Sequence, residues 1–135
     1  MKKSIALKIK NLSLKKSNKN ILTEVSFNLP ASCLASIIGP TGAGKTSIIR
    51  SIMNFENNNN NDIQINNKLS TEMNLREIAK QVAYVHQNSL LPAGLKVYDY
   101  VLFARSPYLG FFGNHTQEDH QIVKESLMLV DCLQY

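Results

Sequence analysis

The residues best suited to chemistry form the stretch GPTGAGKT at residues 39–46. This stretch follows the pattern G-x-x-x-x-G-K-[ST], with Gly39, Gly44, Lys45 and Thr46 at its fixed places. Glycines let a loop direct several backbone amides into one cup and allow a phosphate group to approach closely. The pattern therefore predicts a phosphate-binding loop.

The neighbouring sequence supplies the context that such a loop requires. An apolar run at residues 33–38 precedes it and is typical of a strand covered on both faces in a parallel sheet. A helix is predicted from Lys45 to Met53, and its positive end would face the phosphate. We expect the Lys45 ammonium to contact the terminal phosphates and the Thr46 hydroxyl to bind Mg²⁺. The alternative, a glycine-rich turn that matches by chance, does not account for this context.

The composition is that of an ordinary globular domain of 135 residues, 44% hydrophobic and 19% charged. No apolar run approaches the roughly 20 residues of a membrane helix, and no signal-peptide pattern opens the chain, so we expect a cytoplasmic protein. The net charge of +5 comes largely from seven lysines that precede the first acidic residue, Glu24. Because apolar residues are interleaved with these lysines, they indicate the solvated face of a strand, and no nucleic-acid partner is predicted.

Hydrophobic periodicity predicts the elements around the loop. Residues 5–14 and 21–29 largely alternate with period two and form a predicted antiparallel hairpin. Further strands are predicted at 62–65 and, buried, at 82–85. Helices are predicted at 71–79, at 97–104 and after an N-cap at Thr116. The apolar face of this last helix comprises Ile122, Val123, Leu127, Leu129 and Val130.

Beyond the phosphate loop, essentially the whole chain resembles the ATP-binding cassette (ABC) ATPases. Residues 21–27, ILTEVSF, look like the strand that precedes the loop in that family. Residues 84–87, YVHQ, match the family's Q-loop, whose glutamine, here Gln87, contacts Mg²⁺ and the attacking water. Residues 101–113, VLFARSPYLGFFG, followed by QED at 117–119, are similar to a segment of importers for iron-siderophore, haem and cobalamin.

The resemblance implies an α/β fold, a P-loop NTPase of the ABC ATPase type, truncated to its N-terminal portion. Residues 1–31 would form the antiparallel β subdomain, 32–90 the phosphate-loop core with a partial parallel sheet, through the Q-loop, and 91–135 the start of the helical subdomain. The implied cofactors are ATP and Mg²⁺, and the implied nucleotide-binding residues are Gly39, Pro40, Thr41, Gly42, Ala43, Gly44, Lys45, Thr46 and Ser47. Thr46 and Gln87 are the implied metal ligands, and Gln87 is the implied catalytic residue.

The same resemblance implies the partners and the place of action. An importer ATPase of this kind would bind transmembrane permease subunits, lie on the inner face of the cell membrane, and form a homodimer in the complete family member. Its function would be to bind ATP–Mg²⁺ and so energise the import of iron-siderophore, haem or cobalamin.

The sequence departs from the family in two places. Family members usually carry an aromatic residue after the first strand, where adenine stacks, whereas this chain has Lys16 or Ser17 there, so we expect weak ATP affinity and poor base selectivity. The LSGGQ signature, the Walker B aspartate with the catalytic glutamate, and the switch histidine do not occur in the 135 residues. Because phosphoryl transfer depends on such positioned charges, we expect binding without efficient hydrolysis by this chain alone.

Two further hypotheses remain open at this point. One is a non-hydrolysing nucleotide-binding module that acts by docking on a partner, and the other is a non-functional truncated remnant. A small-molecule kinase with a phosphate loop is less favoured because it leaves Gln87 and residues 108–113 without an explanation.

Overall fold

The chain divides into two compact units, Met1–Val82 and Ala83–Tyr135. The computed structural model describes residues 4–56, 62–87, 93–110 and 113–134. Among these residues the longest helix has 13 residues, and none is long and apolar enough to span a bilayer.

The first unit is built on an antiparallel sheet. Its strands are β1 (Ile5–Lys16), β2 (Lys19–Pro30), β3 (Asp62–Ile65) and β4 (Lys68–Leu69), in the order β2-β1-β3-β4. β1 and β2 form the hairpin that the periodicity predicts, and the strand predicted at 62–65 is also confirmed. The hairpin turn places Ser17 and Asn18 at positive φ, 44° and 64°, as a type I′ turn requires.

Two irregularities keep the apolar residues of the hairpin on one face. Asn11 and Glu24 have positive φ, 53° and 49°, at places where the β1–β2 register shifts. Each backbone amide is bound by a serine of the opposite strand, since Asn11 donates to Ser26 Oγ (2.8 Å) and Glu24 to Ser13 Oγ (2.9 Å). These bulges shift the alternation so that the residues on either side of them point to the same core.

Two helices pack in the first unit, α1 (Lys45–Ile52) and α2 (Leu75–Gln81). The prediction for α1 is confirmed within one residue. The prediction that the next helix begins at Thr71 is wrong, because Thr71 lies in a 3₁₀ turn, Ser70–Glu72. The true N-cap is Asn74, whose side chain accepts from the Glu77 amide (2.9 Å) while the Glu77 carboxylate accepts from the Asn74 amide (2.8 Å).

The main core of this unit lies between the hairpin and α1. Ile48 is the buried apolar residue that α1 contributes to this core, and β3 contributes Ile63. The buried members are Ile9, Leu12, Leu14, Leu22, Ile48 and Ile63. A smaller cluster of Ile65, Met73 and Ile78 lies under α2.

The two strands predicted at 33–38 and 82–85 are absent. Both segments lack strand pairing, and side chains expected to be buried are exposed: Leu34 is 98% exposed, Ile38 92% and Val85 88%. The physical reason is that no described strand lies beside either segment, so neither can form a ladder. The parallel part of the predicted sheet is therefore not formed among the described residues.

The second unit consists of α3 (Val97–Phe103), a 3₁₀ turn (Ser106–Tyr108) and α4 (Gln117–Leu129). The predicted helices are confirmed. The Thr116 cap is confirmed too, because its Oγ1 accepts from the Asp119 amide (3.2 Å).

The predicted apolar face of α4 is only partly right. Val123 and Leu127 are buried, whereas Leu129 and Val130 are exposed. Leu129 follows Leu127 by two residues, which places it on the other side of the helix, and Val130 lies beyond the last residue of α4.

Polar contacts connect α3 and its C-terminal turn to α4. The Tyr98 hydroxyl lies 2.7 Å from His120 Nδ1, and the Arg105 guanidinium donates to Asp119 Oδ1 (2.7 Å). Asp119 also accepts from the Thr116 amide (2.9 Å) and hydroxyl (2.9 Å). The amide of Thr116, followed by Arg105, lowers the pKa of Asp119 to about 2.

We predict that Asp119→Asn destabilises the protein in a pH-dependent way. The lowered pKa means that the carboxylate contributes its full stabilisation above the unfolded pKa of about 4, and that this contribution is lost as pH falls toward 2. Thermal unfolding of both proteins from pH 7 to pH 2 should show a Tm difference that disappears at the acid end. Glu125→Gln, which alters only an exposed bond to Gln121 (2.8 Å), is the control. A difference that persists unchanged at pH 2 would contradict the assignment.

Candidate functional site

Residues 39–44 form a largely exposed loop that leads directly into α1, and we call this loop the phosphate loop. Gly42 and Gly44 have φ of +85° and +87°, a backbone conformation that L side chains rarely adopt. The Ala43 amide donates to the Pro40 oxygen (3.2 Å) and closes a turn in the middle of the loop. The glycines at 42 and 44 therefore allow the turn through which the chain enters α1.

The N-terminus of α1 is open to an anion. Gly44 is the N-cap, no side chain caps the first turn, and no acidic residue lies within it. The first backbone amides of a helix have no partner inside it, and the helix dipole adds partial positive charge there. Lys45, Thr46 and Ser47 make up this first turn, so their amides are positioned to bind phosphate oxygens.

Lys45 already has a defined position in the loop. Its ammonium donates to the backbone oxygens of Gly39 (2.9 Å) and Pro40 (2.7 Å), so the side chain lies over the loop. An ammonium has three donors, and these two bonds leave one for a phosphate oxygen. The loop, the helix end and the lysine thus converge on one exposed place.

Gly44 also makes a close contact that the sequence pattern did not predict. A Cβ at this position would lie 2.7 Å from Leu22 Cδ2 and 3.0 Å from the backbone oxygen of Ile21. The end of the phosphate loop therefore packs closely against β2, and a side chain at this position would require the loop or β2 to shift. We call this contact the Gly44 seat.

A second group missed by the sequence analysis holds the other end of α1. Lys16 Nζ and Arg50 Nε both donate to Glu56 Oε1, each at 2.7 Å, and Glu56 is 8% exposed. Because Lys16 ends β1 and Arg50 lies in α1, the carboxylate connects the hairpin to the helix. The Lys16 bond, followed by the Arg50 bond, holds the pKa of Glu56 below its ordinary value against the opposing effect of burial. We call these three residues the Glu56 bridge.

The residues present are suited to binding Mg²⁺ only together with a nucleotide. Thr46 is an exposed residue next to Lys45, and its hydroxyl is a suitable oxygen ligand. Among the described residues, no group of three or more His, Cys, Asp or Glu side chains could hold a metal ion. The chain therefore offers isolated ligands, and nucleotide phosphates would supply most of the oxygen atoms.

Gln87 lies at the end of an exposed segment of the second unit, whereas the phosphate loop belongs to the first. Its predicted catalytic and metal-binding roles remain predictions. In the importer-like segment, the Arg105 guanidinium lies 3.8 Å from the ring centroid of Tyr108, which agrees with a local packing role for this tyrosine. Phe111 and Phe112 lie outside the described residues.

The phosphate loop at the start of α1, beside an antiparallel hairpin, defines an α/β protein of the phosphate-loop class. A family profile described as ABC transporter matches residues 22–133. The chain belongs to this family.

Curated relatives and a solved structure agree with this assignment. The Bacillus subtilis protein "Iron(3+)-hydroxamate import ATP-binding protein FhuC" is 26% identical over 96% of this chain and 48% of its own length. The Bacillus anthracis "Petrobactin import ATP-binding protein FpuD" is 29% identical over 90% of this chain and 45% of its own length. The Escherichia coli O157:H7 "Hemin import ATP-binding protein HmuV" is 28% identical over 90% of this chain and 45% of its own length. A solved ATP-binding subunit of an ABC transporter superposes with a TM-score of 0.76 at 22% identity, over 96% of this chain and 51% of that one.

The chain therefore spans about half the length of the curated relatives that it matches. For this chain, the activity, substrates and partners of the whole proteins are therefore proposals.

We predict that Gly44→Ala destabilises the protein more than Gly42→Ala does. Both variants place a side chain at positive φ, which costs roughly 1–2 kcal/mol. Only at position 44 does the new Cβ also meet β2, whereas the space around position 42 is open. The free energy of unfolding in urea measures both effects, and Gly110→Ala, which meets open space without positive φ, is the control. Equal losses at 42 and 44 would argue against the Gly44 seat.

We predict that Glu56→Gln lowers the free energy of unfolding by about 1–3 kcal/mol, because two charge-assisted hydrogen bonds at a buried carboxylate are weakened. The matched comparison is Lys68→Met, which removes the exposed Lys68–Glu77 pair (3.1 Å) and should cost less than about 1 kcal/mol. Chemical unfolding of the two variants tests the order. A larger loss of unfolding free energy in Lys68→Met than in Glu56→Gln would contradict the stabilising role of the Glu56 bridge.

Proposed function

We propose that this chain binds ATP–Mg²⁺ through the phosphate loop as the nucleotide-binding portion of an ABC importer ATPase. The observation that carries the proposal is the exposed phosphate loop at an uncapped helix start, with Lys45 bonded over it. The amides of the first turn of α1 and the Lys45 ammonium would bind the phosphates, and Thr46 would bind Mg²⁺ with Gln87 as a further ligand. The metal, when bound, neutralises charge on the phosphate oxygens.

The charge around the loop supports a polyanionic ligand. The first turn of α1 contains no acid, and the chain carries a net charge of +5. Lys16 and Arg50 share the Glu56 carboxylate, so the charge of Glu56 is directed toward its own cations rather than toward the loop. A nucleoside triphosphate would therefore approach a site at which the nearby fixed charges are positive or already paired with an opposite charge.

The importer role rests on the named relatives and on the importer-like segment at 101–113. The relatives import iron(3+)-hydroxamate, petrobactin and hemin by their names. We infer a cargo of the same chemical class, an iron chelate, haem or the related cobalamin, carried by transmembrane permease subunits that this chain would contact. The location would be cytoplasmic and peripheral on the inner face of the membrane, and a homodimer would form in the complete protein.

Hydrolysis is not proposed for this chain alone. Phosphoryl transfer needs a carboxylate that completes the Mg²⁺ site and another group that orients water. The proposed activity is therefore nucleotide binding, with Gln87 available to the attacking water once those groups are supplied.

The proposal predicts that Lys45→Ala lowers affinity for ATP–Mg²⁺ by roughly 10- to 100-fold, because a charge-assisted bond to phosphate is lost. Titration with a fluorescent ATP analogue measures the affinity, and phosphate release in the same samples should stay at background. Lys124→Ala, an exposed lysine of α4, is the control. Unchanged affinity in Lys45→Ala, with a normal Tm, would overturn the proposal.

A further inference from the structure

Three rings of the second unit meet at the start of α4. The Tyr98 ring, in α3, stacks nearly parallel to the His120 ring in α4, with an interplanar angle of 5° and centroids 6.1 Å apart. The His115 ring lies edge-on to His120, at 68° and also with 6.1 Å between centroids. His115 directly precedes Thr116, the N-cap of α4. We call Tyr98, His115 and His120 the histidine cluster.

One nitrogen of the histidine cluster is buried and unpaired. His115 Nδ1 has no hydrogen-bond partner within the described part of the chain, although solvent does not reach this atom. Buried polar atoms are nearly always paired, because an unpaired one loses its bond to water and gains nothing in return. An imidazole nitrogen that lacks a hydrogen-bonding neighbour is available to a metal ion.

His120 has a nitrogen available for the same ion. Its Nδ1 lies 2.7 Å from the hydroxyl oxygen of Tyr98. When Nδ1 holds the ring proton and donates it to that oxygen, Nε2 keeps its lone pair and is free to coordinate. A hydrogen bond from the second ring nitrogen is what orients metal-binding histidines and fixes their tautomer. Tyr98 is therefore a positioning residue, whereas His115 and His120 supply the ligand atoms.

The spacing of the two imidazole rings suits a shared ion. An imidazole nitrogen lies about 2.0–2.1 Å from Zn²⁺, so two rings that share one ion have centroids roughly 5–6.5 Å apart, depending on the angle at the ion. The observed 6.1 Å between His115 and His120 falls within this range. Asp119, next to His120 in sequence, is not a proposed ligand, because its carboxylate accepts from Arg105 and Thr116.

We propose that His115 and His120 form a binding site for a divalent transition-metal ion of the kind that imidazole prefers, such as Zn²⁺ or Ni²⁺. Water completes the coordination, since no third histidine, cysteine or carboxylate among the described residues joins the pair. The ion connects the segment before α4 to the helix itself, and Tyr98 extends this connection to α3. The site requires no nucleotide, and Mg²⁺ does not suit it because Mg²⁺ prefers oxygen ligands, so it stands apart from the proposed function.

Calorimetric titration of the tag-free chain with Ni²⁺ tests the proposal, and we expect one ion per chain. Tyr98→Phe should weaken binding by roughly 10- to 100-fold, because His120 loses the bond that orients its ring. His115→Gln and His120→Gln each remove a ligand and should weaken binding further. His86→Gln is the matched control, because His86 is the remaining one of the three histidines and contacts Tyr84 instead of the histidine cluster. It should bind Ni²⁺ as the unaltered chain does.

A measurement on the unaltered chain keeps the test decisive if a variant fails to fold. Paramagnetic Ni²⁺ should broaden the ring-proton NMR resonances of His115 and His120 at lower ion concentration than those of His86. Equal broadening at all three histidines would indicate an adventitious ion only and would overturn the proposal. Unchanged affinity in a folded His120→Gln variant would overturn it too, as would the absence of saturable binding at millimolar Ni²⁺.

Discussion

The close approach of the phosphate loop to β2 at the Gly44 seat is the constraint on which the rest of the first unit depends. The residue that ends the loop is also the N-cap of α1, so a single contact sets both the loop and the start of the helix against the hairpin. A larger residue would move both together, because the Ile21 oxygen belongs to a paired strand. The anion-binding geometry is thus coupled to the packing of the sheet.

The Glu56 bridge holds the opposite end of the same helix. It joins the last residue of β1 to Arg50, while Ile48 packs between these two ends. The helix is therefore located by a steric contact, an apolar contact and an ionic contact along its length. An interior carboxylate is tolerated here because two cations, each still partly exposed, donate to it.

The sequence predicted the hairpin, α1 and the capped α4, because local alternation and capping chemistry determine these elements. It did not predict the bulges at Asn11 and Glu24, since their serine partners lie on the opposite strand. It failed at residues 33–38 and 82–85, where the pattern was suitable for strands but no described neighbour pairs with them. The phosphate loop could be located from its glycines and lysine, whereas the Gly44 seat and the Glu56 bridge depend on contacts between residues distant in sequence.

The two bonds from Lys45 to the loop carbonyls have a thermodynamic consequence for any ligand. A free lysine side chain has about 2 kcal/mol of rotamer entropy to lose when it is fixed. In this protein folding has already restricted that side chain, because its ammonium is bonded to Gly39 and Pro40. An arriving phosphate therefore meets a preorganised cation, and more of the gross interaction energy remains as net affinity.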